Sequence, residues 1–175
     1  MKRIIGINGS ASQNSSNLAI LNFVEEVGKT EFELEIFDDL TELPHFKTEL
    51  SDENVPEKIV EFRNKIAKAE GIIISTPEYI FSIPSGLKNA IEWCVSTIIF
   101  SDKPIGIITA SASGEKGHEE LKMIMKTVQT KFTDETTLLI QGVKGKIDKE
   151  GKIKDFETKE RLRKFVRAFC KLIER

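Results

Sequence analysis

An α/β fold, a mostly parallel sheet with helices on both faces, is what this sequence predicts, on three observations. Short β-branched runs alternate with longer stretches of helical period along the whole chain. The strand runs are near-continuous in Ile, as in Gly71-Ile72-Ile73-Ile74-Ser75, which suits strands buried on both faces rather than half-exposed ones. The punctuation agrees with the alternation: Pro56 and Pro84 stand where helices tolerate proline, and Gly28 and Gly71 where helices end.

Taken in order, the strands are expected at 3–8, 32–37, 71–76, 104–109 and 137–140. Helices are expected at 15–28, 56–69, 84–99, 115–132 and 158–174, giving five β–α units. The stretch 38–55 is the least patterned and reads as a loop crossing the sheet edge, able to carry contacts to a substrate or partner.

The 175 residues, 39% apolar and 31% charged, suit one domain spanning 1–175, able to bury a core without disulfides or a structural metal. Cys94 and Cys170 sit in apolar helical patterns and form no CxxC pair. His and Cys residues are scattered without ligand spacing, so no metal site is expected. A net charge of −2 supplies no global basic field for nucleic acid, although residues 144–175 carry 12 basic against 6 acidic groups, read as a solvated helix face. The N-terminal MKRIIGINGS lacks a signal peptide's apolar stretch, and no apolar run approaches membrane-spanning length. A cytoplasmic protein with no membrane contact is the expectation.

In open α/β sheets ligands bind beyond the carboxyl ends of the strands, where strand order reverses. Three loops there are unusual. After the first strand comes Asn8-Gly9-Ser10-Ala11-Ser12-Gln13-Asn14-Ser15-Ser16-Asn17, dense in hydroxyls and amides and leading into a helix N-terminus. That suits a monophosphate cradle without a lysine, or a polar turn with Ser15 or Ser16 as N-cap. Neither GxGxxG nor GxxxxGK[ST] is present. After the third strand, Thr76-Pro77-Glu78-Tyr79-Ile80-Phe81-Ser82-Ile83-Pro84 places two prolines and two aromatics at the same edge. Such a stiff loop can present N–H groups to a planar ligand, or serve as a connector whose aromatics fill an interface. After the fourth strand, Ser111-Ala112-Ser113-Gly114 lets a ligand approach the backbone closely. With the common doubly wound order 2-1-3-4-5, strands 1, 3 and 4 are neighbours and all three loops line one crevice.

These residues resemble the NAD(P)H-dependent FMN reductases, over nearly the whole chain. The family's GSxRxxSxN loop appears as Gly9 to Asn17, and its more specific TPEYN segment, followed by a SIPGxLKNAIDW-like stretch, as Thr76 to Trp93. The resemblance implies a flavodoxin-like three-layer sandwich whose first loop, with Gly9, Ser10, Ser12, Ser15, Ser16 and Asn17, holds the FMN phosphate. It implies further that Pro77, Glu78, Tyr79, Ile80 and Phe81 lie along the isoalloxazine, with Ser111, Ser113 and Gly114 flanking the ring. Two departures stand out. The usual loop arginine is Ser12, which argues against strong NADPH preference, and the Asn after TPEY is Ile80, followed by Phe81, which favours an apolar or aromatic acceptor.

The activity implied is hydride transfer from NAD(P)H to FMN and then to a small acceptor such as a quinone or flavin, in ping-pong fashion. The flavin carries the chemistry, so no catalytic side chain is assigned, and His45 and His118 are read as surface residues. The alternative is a flavodoxin-type electron carrier without its own NAD(P)H reductase activity, against which the near-neutral charge and the TPEY segment count. A relative that has kept the fold and lost FMN is a third reading. The residues Ile83, Leu87, Ala90, Ile91, Cys94, Val95 and Ile98 form a broad apolar face, expected to be buried in the core or to support a homodimer or homotetramer, as is common in the family.

Overall fold

The computed structural model describes residues 1–12 and 15–174; Gln13 and Asn14 of the first-loop motif lie outside the described residues. Five parallel strands, β1 (Lys2–Asn8), β2 (Phe32–Phe37), β3 (Gly71–Thr76), β4 (Ile105–Ser111) and β5 (Thr137–Gln141), form one sheet in the order β2-β1-β3-β4-β5. The central pairing sets Ile7 beside Ile74 and Asn8 beside Ser75, and the next sets Thr76 beside Thr109. β1 and β3 therefore end within one residue of each other, and β4 continues two residues beyond the end of β3, to Ser111.

Five helices follow the strands: α1 (Ser16–Gly28), α2 (Glu57–Lys68), α3 (Ser85–Glu92), α4 (Glu115–Thr127) and α5 (Phe156–Ile173). Every residue of β3 is buried, because both sheet faces are covered. On one face Ile72, Ile74 and Ile107 pack with Phe62, Leu87 and Leu121 of α2, α3 and α4. On the other, Ile73 and Ile108 pack with Ile20, Val24 and Phe165 of α1 and α5. Each such buried aliphatic contributes about 1.5–3 kcal/mol, so this double layer is the main source of stability.

Two helices end earlier than their periodicity predicts. α3 stops at Glu92 rather than near residue 99, because Arg63 of α2 donates Nε–H and Nη2–H to the Trp93 carbonyl and Nη2–H to Ser51 O at 2.9 Å. Trp93 meanwhile turns into the core and donates its indole N–H to Pro44 O at 2.7 Å. α4 stops at Thr127 rather than near 132: Gln129, at φ +64°, takes the left-handed position usually given to glycine, and Thr130 N–H reaches Met125 O at 3.1 Å. This is a Schellman ending whose sequence signal is absent. The stretch 38–55 is irregular except for two short 3-10 turns, Leu40–Glu42 and Thr48–Leu50.

Candidate functional site

The first loop is built on Asn8, the last residue of β1 and almost wholly buried. Its Oδ1 accepts Ser10 N–H at 3.1 Å and its Nδ2 donates to Asp38 at 2.7 Å and to Ser15 Oγ at 3.3 Å. Gly9 donates its N–H to Ser75 O at 2.8 Å, and a Cβ there would stand 2.4 Å from Thr76 Oγ1. Only glycine lets the loop pass that close to β3. Ser15 is the N-cap of α1, accepting Leu18 N–H at 3.1 Å, as the hydroxyl pattern predicts. Asn17, 3% exposed, accepts Ser75 Oγ–H at 2.9 Å and donates Nδ2–H to Ala110 O at 3.2 Å, stitching α1 across β3 and β4. Its side chain is thus committed to the sheet. What it can offer an anion is its backbone N–H, which as part of the first helical turn has no intrahelical partner.

The β3 loop is held from both sides. Tyr79 OH lies 3.5 Å from Ser10 Oγ on the first loop. Glu78 reaches the other way, its Oε1 accepting Gly114 N–H at 3.2 Å and its Oε2 accepting Gly117 N–H at 2.8 Å. That puts a carboxylate on the exposed N–H groups of α4, where the helix dipole favours it. Gly114 itself is left-handed, at φ +89°, and caps α4. Ser111 Oγ–H donates to Glu78 O at 3.4 Å, while Ser113 is exposed.

Between Tyr79 and Ser82 the backbone pairs in both directions, at 2.9 and 3.1 Å, closing a two-residue turn over Ile80 and Phe81. Both turn residues are left-handed, φ +52° and +59°, and both are exposed, 95% and 75%. Asn and Gly are the usual occupants of such turns; a β-branched residue and an aromatic there store strain of about 1–2 kcal/mol each. Pro77 is buried beneath the loop.

Three features of the site have no sequence signal that reached them. Glu120 of α4 accepts Ser82 Oγ–H at 2.7 Å and Ile83 N–H at 2.8 Å on one oxygen, but reads in the sequence as one more charge on a polar helix face. Lys144 and Lys149, remote in sequence, line with Ser15 and Ser16 a depression of about 470 Å³ beside the start of α1, together with Asp148 and Glu150. They bring cationic groups toward the loop that carries Ser12 in place of an arginine. Asn8 is present in the motif as written, but its role as hub shows only in three dimensions. His118 hydrogen-bonds Thr109 Oγ1 through Nδ1 at 2.9 Å. Burial first, then the charge of Lys122, push its pKa below the ordinary value, against a smaller opposing effect of Glu119. His45 lies at a second cavity, about 410 Å³, walled by Leu40, Leu43, Tyr79 and Pro84.

The donor set fits FMN. A phosphate at the first loop would meet the hydroxyls of Ser12 and Ser16 and the open N–H groups of α1, whose first turn holds no acidic residue. A planar ring would meet a rigid loop on one side and the small residues of the β4 loop on the other. Of the apolar face on and beyond α3, Ile83, Leu87, Ala90, Ile91 and Cys94 are core, and only Val95 and Ile98 remain exposed, at 62% and 83%. Among the described residues no helix is long and apolar enough to cross a membrane.

Comparison with known proteins identifies the family. Among solved structures, FerB, a flavoenzyme NAD(P)H:(acceptor) oxidoreductase from Paracoccus denitrificans, shares the fold at a TM-score of 0.87 and 24% identity, over 99% of this chain and 98% of that one. An NAD(P)H:quinone oxidoreductase of Solanum tuberosum is 31% identical over 170 residues, 92% of this chain and 87% of the relative. A NADH:(hydroxy)cinnamate reductase subunit of Vibrio ruber is 37% identical over 108 residues, 61% of this chain, and the match spans about half, 52%, of that relative. Residues 2–143 match the model of a family described as NADPH-dependent FMN reductase. With four-fifths of its length inside that match, this chain belongs to the NADPH-dependent FMN reductases, oxidoreductases that use FMN with NAD(P)H as co-substrate.

Proposed function

We propose that this chain, a single domain over 1–175, moves hydride from NAD(P)H to a small acceptor of the quinone or flavin type through FMN held at the carboxyl edge of the sheet. The observation that carries the reading is the physical linkage of the three loops: Tyr79 to Ser10, Glu78 to Gly114 and Gly117, Asn17 to Ser75 and Ala110. Bound there, FMN supplies the two-electron chemistry, so that donor and acceptor use one pocket in turn, in ping-pong order.

The protein's part is binding and orientation. Gly9, Ser10, Ser12, Ser15, Ser16 and Asn17 form the phosphate end, through hydroxyls and the α1 N–H groups, with Ser15 and Asn17 shaping the loop from within. Pro77, Glu78 and Tyr79 would hold the ring, and Ser111, Ser113 and Gly114 would flank it. Ile80 and Phe81 give the mouth an apolar wall, which favours a planar apolar acceptor. With no cation in the first loop itself, no strong preference for NADPH is expected. Exposed Val95 and Ile98 support a homodimer or homotetramer, and a cytoplasmic location is part of the proposal.

The test is an anaerobic spectrum of the protein loaded with FMN, followed by NADH or NADPH. A bound-flavin spectrum that bleaches with either nicotinamide, and recolours with a quinone, is the expected result. Binding without bleaching would make the chain an electron carrier reduced by another protein, and no binding would refute the reading.

A further inference from the structure

Glu120 stands outside every motif, yet it grips the most strained backbone in the site. One of its carboxylate oxygens accepts both Ser82 Oγ–H and Ile83 N–H, at 2.7 and 2.8 Å. These two groups directly follow Ile80 and Phe81, consecutive left-handed residues at φ +52° and +59°. Neither side chain gains from burial, and neither residue type favours this conformation. The turn is therefore imposed by what surrounds it: the Tyr79–Ser82 backbone pair inside it, Glu78 at its near end on the α4 N–H groups, and Glu120 at its far end. Gly117 lets α4 come this close, since a Cβ there would already stand 3.2 Å from Glu78 Cβ and 3.4 Å from Ser82 O. Strain that is over-determined by neighbours and set at a ligand crevice is the pattern of a preorganised clamp.

We propose that Glu120 is a positioning residue of the flavin pocket, holding the strained Ile80–Phe81 turn so that the loop backbone is set for the flavin while the two side chains present an apolar wall to a planar apolar acceptor. The proposal rests on the FMN reductase reading. What the turn needs from position 120 is one oxygen accepting two hydrogen bonds, which a glutamine carbonyl supplies and an alanine does not. It follows that a turn able to hold itself, with Asn and Gly in place of Ile80 and Phe81, needs no clamp.

Four proteins test this: the wild type, Glu120→Gln, Glu120→Ala, and Glu120→Ala combined with Ile80→Asn and Phe81→Gly. The readouts are FMN affinity by fluorescence quenching, hydrogen exchange of the Ile83 amide without flavin, and KM for a naphthoquinone against KM for ferricyanide. Glu120→Gln should stay within about twofold of wild type in FMN affinity, while Glu120→Ala should lose about tenfold, together with Ile83 protection. The triple variant should recover FMN affinity to within about threefold, yet keep a raised KM for the naphthoquinone and an unchanged one for ferricyanide.

Glu120→Ala that binds FMN as tightly as wild type, or keeps Ile83 protected, overturns the proposal. So does Glu120→Gln failing as badly as Glu120→Ala, since charge and not the acceptor oxygen would then matter. If Glu120→Ala does not fold, the triple variant decides: folding with FMN bound supports the clamp, and failing like its parent overturns it. A wild type that binds no FMN refutes the function reading and the positioning role together, whereas a wild type that binds FMN beside an insensitive Glu120→Ala refutes the role alone.

Discussion

Replacing Ile80 and Phe81 by Asn and Gly in the otherwise native chain should make the protein more stable. Two left-handed non-glycine residues cost about 1–2 kcal/mol each, so relieving both yields about 2–4 kcal/mol. Little apolar burial is lost, because Ile80 is 95% and Phe81 75% exposed. Glycine's extra freedom in the unfolded chain takes back about 0.5–1 kcal/mol, leaving a net gain of about 1–3 kcal/mol. At roughly 2–4 °C per kcal/mol for a chain of this size, a gain near the middle of that range raises Tm by about 4–8 °C. The assay is thermal unfolding by circular dichroism without flavin, with urea unfolding as a check that the slope m is unchanged. An unchanged or lowered Tm would refute the reasoning, since it would mean that the turn is unstrained or that its side chains are packed. The rise in stability should come with a poorer KM for a naphthoquinone, the exchange expected where strain serves binding.

Three further outcomes follow from the same geometry. Asn17→Ala removes a buried bracket, leaving Ser75 Oγ–H without its partner and taking one donor from the Ala110 carbonyl, and should cost about 1–3 kcal/mol in urea unfolding; a loss under about 1 kcal/mol would show that water or a neighbour replaces it. Lys144→Gln with Lys149→Gln should weaken FMN by roughly fivefold and leave riboflavin unaffected, since only FMN carries the phosphate; equal effects on both ligands would place these lysines elsewhere. His118 has a folded pKa below its ordinary value of 6.5, through burial and Lys122. The unfolded chain then takes up the proton first, so stability present above pH 6.5 is lost as the pH falls toward the folded value. His118→Asn should accordingly lose less of its urea midpoint than wild type between neutral and mildly acidic pH; equal losses in the two proteins would contradict this.

How much of this was legible in the sequence depends on how local the determining contact is. The strands were, because Ile4, Ile5 and Ile72 to Ile74 form runs that only a doubly covered sheet accommodates. The convergence of the three loops was legible as well, since it follows from strand order once β1, β3 and β4 are neighbours. The end of α3 was hidden because the carbonyl that stops it is taken by Arg63, thirty residues away. The end of α4 was hidden because Gln129 does the work of glycine. Within the site, Ser15 carried a cap signal, whereas the commitment of Asn17 to Ser75 and Ala110, the approach of Lys144 and Lys149, and the grip of Glu120 are contacts across 37 to 134 positions that no local pattern records.

The most direct test of the account is amide hydrogen exchange with and without FMN. If the three loops form one flavin site, saturating FMN should slow exchange together in residues 9–17, 76–83 and 111–117, and leave the amino-terminal edge of the sheet and the exposed face of α5 unchanged. Protection confined to one of those loops, or centred away from all three, would contradict the account.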